Sequence, residues 1–140
     1  MDSAQLAYRL RVLFEQKITA HYFDSFKGTF GRVQVEVLSL LYDRRTVRAD
    51  ELVELLNISK QHASKILLRL EEQGLVTWQE DPADRRRTLF QLSPQGQQLM
   101  SDHLAHSNRI FDEGLLRLSE SERRTLHEAM LTMTELLERL

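Results

Sequence analysis

Apolar residues recur every three or four positions along most of the chain, which is the spacing of amphipathic helices. From Leu6 to about Tyr22 this spacing predicts a long first helix, through Leu6, Leu10, Leu13, Phe14 and Ile18. The segment "DSFKGTFGR" interrupts the pattern, and a second helix begins near Val33 and ends near "YDRR". Glycine and proline are sparse. The pattern therefore predicts a mainly α-helical protein.

A helix-turn-helix is predicted in the middle of the chain. "TVR", residues 46–48, is a candidate short strand, and "DELVELL" a short third helix in which Asp50 is a plausible N-cap. Asn57 tolerates the left-handed conformation that ends helices. "SKQHASKILLRLEEQG" then predicts a fourth helix, which Gly74 closes. Two short helices joined by about four residues are typical of a helix-turn-helix.

The fourth helix has two different faces. Its apolar residues cluster on one side, while the opposite side carries an amide, hydroxyls and cations, groups that bond base edges or phosphates. A solvated surface has a similar composition, but the second helix of a helix-turn-helix is where DNA-reading side chains usually lie. The candidate DNA-binding residues of this helix are Ser59, Lys60, Gln61, His62, Ser64, Lys65 and Arg69.

A β-hairpin is predicted directly after this helix. "LVTWQE" and "TLFQLS" alternate as two strands, and "DPADRRR" connects them. A solubilising charged turn is the simpler interpretation of the connection. Three consecutive arginines repel one another without a polyanion, however, and arginine is favoured in the minor groove of DNA. The candidate DNA-binding residues of this wing are Asp84, which would hold the loop, and Arg85, Arg86 and Arg87.

These motifs, from about residue 34 to 96, resemble the winged helix of the multiple antibiotic resistance regulator (MarR) family of bacterial transcription factors. The resemblance is carried by "ELVELLNISKQHASKILLRLEEQGLV", "DPADRRRTLFQLSPQG" and the long helices on both sides. It implies a homodimer in which Asp84 orders the wing, Arg86 and Arg85 enter the minor groove, and the fourth helix reads the major groove. It also implies a repressor of transcription. Family members that sense oxidants through cysteine are no guide, because the chain has no cysteine.

The terminal helices are predicted to form a dimer. "SPQGQQLMSDHLAHSNRIFDEGLLRLSE" predicts a fifth helix, and Ser119 with Glu122 a capping box that starts a final, strongly apolar helix. A monomeric helical cap is the alternative to a dimer. We expect one domain, 1–140, with a winged helix-turn-helix at 32–92 and dimerisation helices at 1–30 and 94–140. The candidate interface residues are Leu6, Leu10, Leu13, Leu126, Met130, Met133 and Leu137.

A small effector is expected where the long helices meet the winged helix. Four aromatic residues, Phe14, Tyr22, Phe26 and Phe111, are candidates to line a pocket for a hydrophobic or phenolic ligand. Core packing is the alternative role for these side chains. A metal-responsive regulator is a further alternative, in which His103 and His106, three apart on one helix, bind a metal with His21, although a solvated helix face is the simpler explanation of the pair.

Bulk composition narrows the class of protein. With 140 residues, 41% hydrophobic and 29% charged, the chain is expected to form one globular domain without a cofactor. Its net charge of −2 requires that any DNA-binding charge be segregated on one surface. No apolar run is long enough for a membrane helix, so a cytoplasmic protein is expected. No catalytic motif accompanies the five histidines, which disfavours an enzyme. A winged helix that binds protein instead of DNA remains an alternative.

Overall fold

The protein contains seven α-helices, a short π-helical segment and one three-stranded sheet. The computed structural model describes residues 1–140. The mainly α fold with a small β-hairpin is confirmed. The elements are α1 (Ser3–Phe14), the π-helical segment (Glu15–Thr19), α2 (Ala20–Asp24), α3 (Arg32–Arg44), β1 (Thr46–Arg48), α4 (Ala49–Leu56), α5 (Lys60–Glu72), β2 (Val76–Glu80), β3 (Thr88–Leu92), α6 (Pro94–Leu115) and α7 (Glu120–Leu137).

The first long helix is not regular in its middle. Asp2 caps α1 by accepting the Gln5 N–H at 2.8 Å, but between Glu15 and Thr19 the backbone adopts π-helical geometry before α2 continues to Asp24. The prediction of one regular helix from Leu6 to Tyr22 was therefore wrong in detail. Apolar spacing shows which face is buried but not whether an amide bonds to the fourth or the fifth preceding residue.

The predicted helix-turn-helix is present, but its first helix, α4, has a different N-cap residue from the predicted one. Arg48, in extended conformation, is the N-cap of α4, and the Glu51 side chain accepts the Arg48 N–H at 3.0 Å. The prediction that Asp50 is the N-cap was wrong, because Asp50 already lies in the first helical turn and accepts a bond from Arg48 Nε at 3.2 Å. Asn57 ends α4 at φ 52°, as predicted, and the Ser59 hydroxyl caps α5.

The sheet ties the hairpin to the preceding helices. Its strand order is β1-β3-β2, all antiparallel, and Val47 lies opposite Phe90 while Trp78 lies opposite the same residue from the other side. The predicted strand at 46–48 is thus the third strand of the sheet. Because β1 immediately precedes α4, the hairpin is fixed relative to the helix-turn-helix.

The hydrophobic core lies within the winged helix and its junction with α6. α5 contributes its buried inner face, Ala63, Ile66, Leu67 and Leu70, which packs mainly against α4 and β2. The fully buried large side chains are Leu38, Leu41, Leu52, Leu70, Met100, Val35, Val37, Val47 and Val76. This core holds α5 in place, so its opposite face is presented to solvent.

The long helix α6 begins against the winged helix and ends earlier than predicted. The Ser93 hydroxyl accepts the Gly96 N–H at 3.0 Å and donates to the Gly74 carbonyl, which joins the start of α6 to the end of α5. α6 ends at Leu115, so Leu118, which was predicted within it, lies in the turn before α7. The Ser119 and Glu122 capping box is confirmed, with bonds of 2.7 and 3.1 Å.

Candidate nucleic-acid interface

The outward face of α5 is polar and open. The Ser59 side chain accepts the His62 N–H at 3.0 Å, which satisfies one of the free donors of the first turn. All seven predicted DNA-binding residues of this helix are exposed, and so is Leu68 between them. The first two turns therefore present an amide, a hydroxyl and two ammonium groups from Gln61, Ser64, Lys60 and Lys65 on one continuous surface.

The wing loop, residues 81–87, is organised by two aspartates. The Arg87 N–H donates to the Asp84 carbonyl at 2.9 Å, and the Asp81 N–H donates to the Arg87 carbonyl at 3.0 Å, which closes the loop. The Asp84 carboxylate accepts the Arg86 N–H at 3.1 Å and the Arg86 Nε at 3.2 Å. The predicted holding contact between Asp84 and Arg86 is thus present in the free protein.

The three arginines of the wing differ in their surroundings. Arg86 has a side chain 91% exposed although its Nε contacts Asp84. Arg87 lies between Asp84, at 3.6 Å, and Asp50, at 4.0 Å, while Arg85 is in no ion pair. The Arg86 backbone N–H, followed by its guanidinium, holds the pKa of Asp84 below its usual range, so the carboxylate is charged when it aims the arginine.

Two surface residues near this face were not selected from the sequence. Trp78 on β2 is 54% exposed, and its indole N–H donates to Glu71 at 3.2 Å. Strand alternation predicts that Trp78 lies on the same face of the strand as Val76, which is buried. Val76 is the first residue of β2, however, and the other residues of the strand are exposed. Arg32 lies at the start of α3 and lines a groove with Lys65 and Arg69 of α5. No motif marked it, because the contact depends on how α3 packs beside α5.

Comparison with known proteins shows which family the winged helix resembles. Residues 31–88, most of the winged helix, match the MarR family. The chain is therefore similar to this family over its winged helix. The regulator YdgJ of Bacillus subtilis, described as an HTH-type transcriptional regulator, is 27% identical over 94% of this chain and 79% of its own length. The matched family and the relatives of the chain are transcriptional regulators, not enzymes, and regulators of the family bind DNA and act as dimers.

Solved structures show the same fold over nearly the whole chain. The transcriptional regulator Tm0710 of Thermotoga maritima has a TM-score of 0.76 at 19% identity and covers 98% of this chain and 96% of its own. BpsR of Bordetella bronchiseptica has a TM-score of 0.62 at 23% identity, with 96% of each chain covered. The BpsR structure concerns the regulation of its DNA binding by 6-hydroxynicotinic acid. The shared fold therefore includes the terminal helices as well as the winged helix.

A cavity of about 360 Å³ lies among the π-helical segment, α2, α6 and α7. Tyr22 and Phe111 line it, as predicted, but Phe14 and Phe26 do not. Phe26 is buried in the core, which confirms the packing alternative for that residue, because its ring lies against His103 and Phe30. The residues that line the cavity are Lys17, Ile18, Thr19, His21, Tyr22, Leu104, Ser107, Asn108, Phe111 and Met130.

The histidines of this chain do not form a metal site. His103 is buried with its ring 3.5 Å from that of Phe26, and its Nδ1 is hydrogen-bonded to the Ser25 hydroxyl. His106 is exposed, and His21 lies on the cavity wall. Nowhere do three His, Cys, Asp or Glu side chains come close enough to hold a metal ion. Both the metal pair and the solvated face predicted for His103 were wrong, because α2 packs over this residue.

The terminal helices leave apolar surface uncovered. Neither α1 nor α7 contains a buried residue. Leu6 is exposed, and Leu137 is 56% exposed beside Leu136 and Met133 on an open groove of α7.

None of the helices has the length and apolarity required to cross a membrane.

Proposed function

We propose that the protein is a ligand-responsive repressor that binds a palindromic operator as a homodimer. The observation that carries the proposal is the fixed juxtaposition of an exposed polar face on α5 with an arginine wing whose loop Asp84 already organises. In this proposal the region 32–92 binds DNA, and the regions 1–30 and 94–140 form the dimer. Regulation of transcription then depends on how the dimer spaces its two DNA-binding regions.

DNA is read by two elements in this proposal. The side chains of the first two turns of α5, with Gln61 and Ser64 central, contact base edges in the major groove, while Lys60 and Lys65 contact phosphates. Arg86 and Arg85 enter the neighbouring minor groove, where the potential is more negative. Asp84 supports this role because it restricts the loop before DNA is present, which reduces the ordering entropy lost on binding.

The homodimer is supported by the uncovered apolar residues of α1 and α7. Leucines and methionines that are exposed or half-buried at helical spacing lose contact with water when they pack on an equivalent surface, at about 25 cal/mol per Å² of apolar area. A two-fold interface uses the same patch on both chains and matches the symmetry of a palindromic site. We place Leu6, Leu10, Leu13, Leu126, Met130, Met133 and Leu137 in this interface.

The effector class follows from the lining of the cavity. Tyr22 and Phe111 supply aromatic surface, Lys17 supplies a positive charge, and the buried Ser107 hydroxyl has no hydrogen-bond partner. Buried hydroxyls normally have a partner, so this one is available to a polar group of a ligand. A small aromatic acid satisfies all three features. The regulation of BpsR by 6-hydroxynicotinic acid supports the same class of compound.

The separation of the two α5 helices in the dimer explains both repression and release in this proposal. Two α5 helices enter successive major grooves only when they lie about 34 to 36 Å apart. A ligand among the π-helical segment, α6 and α7 contacts the helices that set this separation. To move the protein from mostly DNA-bound to mostly free, the ligand must bind the dimer with the DNA-incompetent spacing more tightly by about 5.5 kcal/mol. A smaller difference is enough when occupancy of the operator is marginal.

Selection of bound duplexes from a random pool tests the proposal. A palindromic consensus with half-sites about one helical turn apart is expected. Gln61→Ala should then cost about 1 to 3 kcal/mol at one symmetric pair of base positions, whereas a uniform loss across sequences would reassign Gln61 to the backbone. Benzoic and hydroxynicotinic acids are added next, and an acid that weakens DNA binding must itself bind more weakly in the presence of the operator. Failure to recover any duplex would reject DNA recognition.

A further inference from the structure

A basic groove runs beside the outward face of α5. It lies between the start of α3 and one side of α5, and its lining includes the side chains of Arg32, His62, Lys65 and Arg69 but no aspartate or glutamate. The chain as a whole has a net charge of −2. This concentration of cations on a chain that is slightly acidic overall indicates a surface that binds a polyanion.

The groove adjoins the surface proposed to read DNA. Lys65 lines the groove and also belongs to the polar face formed with Gln61 and Ser64. Neither Lys65 nor Arg69 has a carboxylate within ion-pairing distance, so both charges are available to a ligand. Duplex DNA lying along the polar face places its sugar-phosphate backbone at the edge of that face, and the groove occupies this edge.

Arg32 has loosely held partners in the free protein. Its Nη2 lies 3.5 Å from Glu15, its Nε lies 3.7 Å from Glu36, and its guanidinium lies over the Phe23 ring at 4.6 Å from the centroid. The Arg32 side chain is 59% exposed. Exposed ion pairs of this kind contribute little to stability, so a phosphate can replace a carboxylate at small cost.

Glu15 connects this arginine to the other half of the molecule. It is the first residue of the π-helical segment, and the residues that follow it, Lys17 to Thr19, line the cavity. An arginine that leaves Glu15 therefore releases a contact between α3, in the winged helix, and the helical segment beside the cavity.

We propose that Arg32, with Lys65 and Arg69, binds a phosphate of the DNA backbone in this groove, and that Arg32 exchanges Glu15 for that phosphate when DNA binds. The inference rests on the proposed DNA-binding function and adds a contact outside the helix-turn-helix and the wing. Because the ligand is a backbone phosphate, the contact is independent of base sequence.

The test measures the affinity of the full-length protein for a labelled duplex recovered by selection and for an unrelated duplex. Arg32→Gln is expected to weaken binding to both by the same factor, about tenfold, and to lower the slope of log K against log salt by about one unit per half-site. Arg32→Lys retains the charge and should recover most of the affinity. The matched control is Arg124→Gln, which removes an exposed arginine of α7 whose partner Glu120 also lies at 3.5 Å.

The exchange has its own test. Glu15→Gln removes one of the two carboxylates beside Arg32 and should tighten binding about threefold, but it should have no effect when Arg32 is already glutamine. Glu120→Gln, which frees Arg124, controls for the general loss of one negative charge.

Three results would overturn the inference. If Arg32→Gln behaves like Arg124→Gln on both duplexes, or lowers only the melting temperature and leaves the salt slope unchanged, the groove does not bind phosphate. If Glu15→Gln tightens binding equally with and without Arg32, the exchange does not occur. If the wild-type protein binds no duplex at any salt concentration, the inference fails together with the proposed function. The first two results, in contrast, would leave the proposed function intact.

Discussion

The winged helix and the terminal helices bury their apolar residues in different ways. The buried hydrophobic residues lie between Phe26 and Met100, and those of α3, α4, α5 and the sheet pack on one another. α1 and α7 contain apolar residues at the same helical spacing and bury none of them. The contrast indicates that the winged helix completes its hydrophobic core within one chain, whereas the apolar residues of α1 and α7 stay at least partly exposed.

A charge on α7 is expected to have the largest effect. Met133→Glu places a carboxylate on the apolar groove of α7, where burial of an unpaired charge costs several kcal/mol, so the dimer should dissociate or unfold. Sedimentation equilibrium and circular dichroism report these two outcomes. His127→Glu, also on α7 but outside that groove, is the control and should remain dimeric. A folded wild-type monomer at micromolar concentration would contradict the expectation that α1 and α7 pack on a second chain.

Adding one methyl group at either of two glycines of α6 should have opposite effects, because only one of them packs against the winged helix. A Cβ at Gly96 would collide with the Leu75 carbonyl and lie 3.2 Å from Leu92, whereas a Cβ at Gly114 would meet nothing. Gly96→Ala should lower the free energy of unfolding by about 1 to 3 kcal/mol, and Gly114→Ala should raise it by up to about 1 kcal/mol. Urea denaturation measures both. Equal effects would mean that α6 does not pack against the winged helix at its start.

Most of the fold was predictable because its signals are local. The helix-turn-helix followed from the apolar spacing of α5 and from Asn57, whose left-handed conformation needs no information beyond the residue type. The wing followed from strand alternation and from Asp84, two residues before the arginine it contacts. Each of these features lies within a few residues of its cause.

The features that were missed depend on packing between distant segments. His103 was predicted, with His106, to lie on a solvated helix face, but Ser25 and Phe26 of the α2 region cover it. Phe26 was predicted to line an effector pocket, but an aromatic residue near a helix end can face either a core or a cavity, and Phe26 faces the core. Arg32 entered the candidate interface only through the approach of α3 to α5. No local pattern encodes these contacts.

A substitution at the wing should change DNA binding without changing the dimer. Arg86 is exposed and contacts only Asp84, so Arg86→Ala removes a cation and leaves the core intact. Binding to every duplex should weaken by about the same factor, and the salt slope should fall by about one unit for each lost phosphate contact. Fluorescence anisotropy at several salt concentrations measures both quantities. Unchanged affinity would reject the role of the wing, and a changed oligomeric state would contradict the independence of the two regions.

The smallest effect is expected at the contact between α2 and α6. Burial lowers the pKa of His103, a hydrogen bond to Tyr22 opposes this, and the charge of His106 lowers the pKa further. Because the folded state favours neutral His103, the unfolded chain binds more protons between the lowered pKa and the unperturbed value of about 6.5. The contribution of this residue to stability is therefore complete above about pH 6.5 and is lost as the pH falls through the pKa of the folded state.

Urea unfolding between about pH 5 and pH 7.5 tests this contact. In that range the wild-type free energy of unfolding should fall with decreasing pH more steeply than that of His103→Gln, by at most about 1.4 kcal/mol per pH unit for one proton. His127→Gln, which removes an exposed histidine of α7, is the control and should follow the wild type. Comparing slopes removes any constant destabilisation by the glutamine. If the His103→Gln slope equals the wild-type slope, His103 protonates without disturbing its contacts with Ser25 and Phe26, and the junction between α2 and α6 tolerates the charge.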